Sequence, residues 1–143
     1  MKSFREGLSL VGILHLILAL VLLVGILTFC APCGMHEDGA WSSCHWAGQA
    51  IIGLAGLTLL LSLLSLLSRK AWCRFAFSLS ACGVSLLTAL VPGTLIRLCM
   101  MSTMRCITVM KPCVLVLSLL MALLSLVGAL QSRKAAKKEE TQR

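Results

Sequence analysis

Apolar residues in this chain come in long unbroken runs, not in the alternation of a strand or the stripe of a soluble helix. Four runs are long enough to cross a bilayer, at about 8–29, 47–68, 75–96 and 112–130. A run the length of 8–29 makes a helix of roughly 33 Å, against about 30 Å of hydrocarbon. Backbone groups in lipid have no water to bond, so each run is expected to be a helix bonded to itself. The expected fold is therefore all-α: one membrane domain over 1–143, a four-helix bundle made of two transmembrane hairpins. Loops at 30–46 and 97–111 lie on one side, with a short turn "SRKAWCR" and a tail at 131–143 on the other. The first run exceeds a signal-peptide core and no small-residue cleavage site follows it, so it is expected to stay as a helix.

Composition supports this pattern. Hydrophobic residues make up 59% of the chain and charged ones 13%, more apolar surface than a soluble domain of 143 residues can hide. The net charge of +8 suggests nucleic acid only until the charges are located. They sit at the edges of the apolar runs, so no nucleic-acid partner is expected. Lys2, Arg5, Arg69, Lys70, Arg74, Arg133, Lys134, Lys137, Lys138 and Arg143 fall on one side. Only Arg97, Arg105 and Lys111 fall on the other. Positive residues favour the cytoplasmic side, so both termini are expected there, with the basic tail against an anionic leaflet.

This topology sorts the cysteines. Cys30, Cys33, Cys44, Cys99, Cys106 and Cys113 fall in or beside the two loops on the non-cytoplasmic side, while Cys73 and Cys82 do not. An oxidising compartment favours disulfides, and six cysteines allow 15 connectivities. A bridge from Cys99 to Cys106 alone would contribute about 2–3 kcal/mol. Two other chemistries fit the same residues. Cys30-Ala31-Pro32-Cys33 is a C-x-x-C pair. With Cys99 and Cys106 as a second pair and Arg97 or Arg105 beside a quinone, it is similar to membrane thiol oxidases. Against that, the pair closes its helix instead of opening one, at the helix end whose dipole disfavours a thiolate. Cys33, His36, Cys44 and His45 form a possible zinc set, and Met100, Met101 and Met104 add thioethers suited to copper. Neighbouring Cys44 and His45 do not readily chelate one ion together.

The loop motifs carry a resemblance. Cys33-x-x-His36, Cys44-His45-Trp46 and Met104-Arg105-Cys106, with Cys99 ahead of the last, resemble a bacterial membrane family of unknown function. The likeness covers nearly the whole chain and implies four transmembrane helices in a bacterial cytoplasmic (inner) membrane. It implies no activity, and Cys30 and Cys113 are additions to its pattern.

Within the runs, His15 is the one classical ionisable side chain, which makes it a functional candidate. It shares a face with Gly12 and Ala19, and a neutral imidazole bonded to a serine or a carbonyl would satisfy it. Small residues form stripes: Ser78, Cys82, Ser85 and Ala89 in the third run, and Ser118, Ala122, Ser125 and Ala129 in the fourth. Ala55, Thr58, Ser62 and Ser65 follow a similar rule in the second. Such faces let helices pack closely. Trp46 and Trp72 are expected at the two interfaces, and Arg105 is a candidate anion or quinone contact.

No phosphate loop, Gly-x-Ser-x-Gly or paired carboxylates are present, so no catalytic residue is assigned and an enzyme is not the favoured reading. The sequence favours a lipid-embedded accessory or interaction subunit of a membrane complex, with disulfide-stapled loops and no cofactor. A transporter is one conceivable partner. A quinone-linked thiol oxidoreductase and a zinc- or copper-binding protein are the alternatives.

Overall fold

The computed structural model describes residues 2–31, 42–98 and 105–141. Four helices account for nearly all of it: α1 (Lys2–Leu27), α2 (Ser43–Leu67), α3 (Ala71–Leu90) and α4 (Lys111–Thr141). A π-helical turn, Cys106–Met110, leads directly into α4. No strand is found among the described residues. All four helices contain a stretch long and apolar enough to span a bilayer: Leu10–Leu27, Ser43–Leu67, Ala71–Leu90 and a window of Cys106–Lys138. The chain is a multi-pass, four-helix membrane protein.

The helices form a closed ring. α1 packs on α2 and α4, and α3 packs on α2 and α4, with α3 and α4 in the most extensive contact. The α4 stripe Ser118, Ala122, Ser125 and Ala129 is buried throughout, whereas on α3 the buried face is Ala81, Ser85 and Thr88, with Ser78, Cys82 and Ala89 of the expected stripe half-buried. Leucines such as Leu20, Leu60, Leu86 and Leu123 point outward on every helix, a distribution stable only in lipid. Cys30, Cys44, Cys106 and Cys113 gather at one end of the ring, called here the cysteine end. The turn at 68–70 and the carboxyl-terminal part of α4 mark the opposite, basic end.

α1 and α3 begin ahead of their hydrophobic runs, at Lys2 and Ala71, and four further differences bear on the ends of the bundle. α2 begins at Ser43, not near 47, so Cys44, His45 and Trp46 lie in its first turn and not in a loop. α3 ends at Leu90, not near 96, because Pro92 cannot continue the backbone ladder. The chain then closes a compact turn in which the Gly93 amide donates to the Ile96 carbonyl (3.0 Å) and the Leu95 amide to Leu90 (3.1 Å). Gly93 has φ +93°, a conformation that disfavours any side chain. α4 and its π turn begin ahead of Pro112. Proline has no N–H and its ring crowds the carbonyl four residues back, here Thr108, and the wider turn takes up that crowding. Finally, the tail is helical through Thr141. Ala129, Ser132 and Ala136 continue the buried stripe, while Arg133, Lys134, Lys137 and Lys138 are exposed.

Candidate functional site

Two clusters stand out, one in the basic half of the ring and one at the cysteine end. The first is built around His15, which is 5% exposed. Its Nδ1 lies 2.7 Å from Ser62 Oγ on α2, and its Nε2 lies 2.7 Å from Ser125 Oγ on α4. One imidazole thus ties three helices together. Next to it Ser65 and Ser78 approach to 3.4 Å and link α2 to α3. Gly12, one turn before His15, meets the Leu66 side chain, so α1 and α2 come close at this level.

The proton accounting here is informative. Ser62 donates to the Thr58 carbonyl (2.7 Å) and Ser125 to the Met121 carbonyl (2.7 Å). A neutral imidazole has one N–H and one lone pair. It donates to one serine oxygen and accepts from the other serine, whose hydrogen then turns from its carbonyl to the ring. Either serine can take either part, so the layer has two alternative hydrogen-bond arrangements.

A cavity of about 30 Å³ adjoins this layer, enough for one water molecule. All four helices line it, with His15, Ser62, Ser78, Ser125 and Ser132 supplying polar groups and Arg74 reaching it from the first turn of α3. Deeper in the ring Thr58, Ser85 and Thr88 return their hydroxyls to carbonyls of their own helices. Ser118 Oγ is fully buried without a partner.

The second cluster is apolar and thiol-bearing. Cys30 follows α1 in a tight turn, with its amide donating to the Gly25 carbonyl (2.8 Å) and the Thr28 hydroxyl to Val24 (2.8 Å). It is 2% exposed and belongs to a core with Ile26, Ala47, Ile51, Val91, Met110 and Val114. Its thiol is in hydrogen-bond contact with Cys113, near the start of α4. Burial, then the Cys113 thiol, push Cys30 up from 9.0 to about 12, so it is a neutral thiol. Cys44 and Cys106 are fully buried at the same end. Cys30, Cys73, Cys82 and Cys113 are free thiols in this structure.

The remaining sequence candidates distribute as follows. Cys33, His36, Cys99, Met100, Met101 and Met104 lie outside the described residues, so the C-x-x-C pair and the full metal sets do too. Among the described residues, no three His, Cys, Asp or Glu side chains come together as ligands. His45 packs edge-on against Trp46, with ring centroids 5.8 Å apart. Trp46 and, at the basic end, Trp72 are exposed, and so are Arg97 and Arg105. Three relations were not evident from sequence: the His15 bonds to Ser62 and Ser125, the Cys30–Cys113 contact, and the reach of Arg74 to the cavity. The serines carried a signal as members of the small-residue stripes, but nothing in those stripes named the histidine.

The model of a domain of unknown function (DUF4418) matches residues 15–131, most of the chain, and so includes His15, both of its serines and the cysteine end. No curated protein and no solved structure matches the chain. The chain belongs to the DUF4418 family.

Proposed function

We propose that this member of the DUF4418 family is a small accessory subunit that docks on another helical membrane protein. It would sit in a bacterial inner membrane with both termini in the cytoplasm and its cysteine end outside, held by disulfides. The observation that carries the reading is the state of three glycines. Gly53 and Gly56 on α2 and Gly83 on α3 have open space beyond them for 4 Å. Each costs its helix about 1 kcal/mol relative to alanine. None serves a close approach inside the ring. They lie on outward lines with other exposed small or polar residues, Gln49–Gly53–Gly56 on α2 and Ala76–Ser80–Gly83 on α3. Lipid offers apolar helices no drive to associate, and small residues on an outer face are how a bilayer helix admits a neighbour. In this reading the cysteine end is a clip and not an electron-transfer site, and the His15 layer holds the ring together.

The test is site-specific photo-crosslinking in native membranes. A photoreactive residue at Leu60 or Leu87, on the outward faces of α2 and α3, should give a discrete protein adduct that Gly56→Leu or Gly83→Leu removes. The same probe at Leu123 of α4 should give none. Adducts of equal intensity from all three positions, or none from any, would overturn the proposal. An adduct of twice the chain mass would replace the foreign partner with a second copy.

A further inference from the structure

From the cysteine end we infer that Cys30 and Cys113 form a disulfide site that closes the ring between α1 and α4, with Cys113 the entry thiol and Cys30 the resolving one. The inference rests on the disulfide clip proposed above and is independent of the docking faces on α2 and α3, so its failure would leave those faces standing.

Three observations carry it. First, Cys113 packs against the core cluster that holds Cys30, and the two thiols come within side-chain hydrogen-bond reach across the α1–α4 seam. Second, both partners are anchored. Cys30 is held by the turn that closes α1 onto Gly25, and Cys113 by the helix that starts at Lys111. Third, the two differ in access. Cys30 is buried among Ile26, Val91 and Val114, whereas Cys113 is only half-buried. The α1–α4 seam joins helices distant in sequence and has no connecting turn of its own, unlike the α2–α3 seam. A bridge there is the covalent link that the chain itself does not supply.

The oxidant is a disulfide, R–S–S–R, of a protein or a small molecule. Cys113 loses its proton and attacks one sulfur, forming a mixed disulfide and releasing R–S⁻. Cys30 then loses its proton and attacks the Cys113 sulfur, expelling the second R–S⁻. The two thiolates released take up the two protons. Two cysteine thiols are oxidised to one S–S bond, and one disulfide is reduced to two thiols. Burial of Cys30 and its neutral thiol make the second step the slower one.

The experiment uses the full chain, purified reduced and without oxygen in lipid nanodiscs, then equilibrated with oxidised glutathione. Remaining thiols are trapped with an alkylating reagent after denaturation, and the peptides are mapped by mass spectrometry. The expected result is a Cys30–Cys113 peptide pair, with Cys73, exposed at the basic end, remaining unbridged. Cys30→Ser should leave Cys113 carrying a stable glutathione adduct, and Cys113→Ser should leave Cys30 reduced. Oxidised wild-type chain in which Cys30 is bridged to Cys33, or in which Cys30 and Cys113 stay reduced, would overturn the assignment. A Cys30→Ser chain that gains no adduct at Cys113 would overturn the order of attack. The wild-type map alone decides the bridge should either variant fail to fold.

Discussion

Removing the Ser125 hydroxyl should destabilise the fold while His15 is present and do almost nothing once His15 is gone. In Ser125→Ala the bond from Ser125 Oγ to His15 Nε2, 2.7 Å long, disappears, and a ring nitrogen on a residue 5% exposed loses its protein partner. An orphaned buried polar group costs about 1–3 kcal/mol. The neighbouring cavity of about 30 Å³ admits a water that takes over part of the bond, which puts the cost at the low end, about 1 kcal/mol. His15→Leu acts differently. It removes both interhelical bonds, but both Ser62 and Ser125 are then able to donate to the Thr58 and Met121 carbonyls 2.7 Å away, so no hydroxyl is orphaned. Interhelical hydrogen bonds in a bilayer average about 0.6 kcal/mol, so losing both costs about 1.2 kcal/mol. With leucine at 15, Ser125→Ala has no partner left to deprive. The double variant should therefore match His15→Leu in stability, and the cycle should show about 1 kcal/mol of coupling. Reversible unfolding of the four chains in mixed micelles, followed by helical circular dichroism, measures it. An equal cost of Ser125→Ala in both backgrounds would refute the argument and assign the serine to the α3–α4 seam alone.

Other outcomes follow from particular residues. Folded chain treated with iodoacetamide at pH 9 should react at Cys73 and spare Cys30, whose thiol is raised to about 12; fast reaction at Cys30 would show that its burial is wrong. The sign for stability is the same: because the folded value exceeds 9.0, the contribution of the neutral thiol is complete below pH 9.0 and is lost as pH climbs toward about 12. Gly93→Ala, at φ +93° and with the Lys111 Cε 3.3 Å from the added carbon, should cost about 1–2 kcal/mol in the same unfolding assay. A membrane-impermeant maleimide added to intact cells should leave Cys73 unlabelled and label it in inverted vesicles, and the reverse pattern would invert the proposed topology. Trp46 and Trp72, 60% and 48% exposed at opposite ends, should be quenched best by lipids labelled near the headgroup. Strongest quenching by labels at the chain ends would place them in the hydrocarbon instead.

What the sequence determined alone is the membrane character of the chain and its four spans. Water is absent from the bilayer core, so a backbone there must bond within its own segment, and length and apolarity are local properties that can be read along the chain. Faces were legible for the same reason. The 3.6-residue period puts His15 in line with Gly12 and Ala19, and the structure buries His15 and Ala19. The periodicity also set the Ser118–Ala129 stripe that α4 buries. Ends were less legible. Leu90 and Thr141 are decided by Pro92 and by continued packing of Ala136, not by hydropathy. Partners required the tertiary structure. Whether His15 meets Ser62 or Ser65, and whether Cys30 meets Cys113 or Cys33, depends on the rotation and axial offset of one helix against the next. Those quantities come from side-chain packing across seams between segments far apart in sequence, and no period within one segment encodes them.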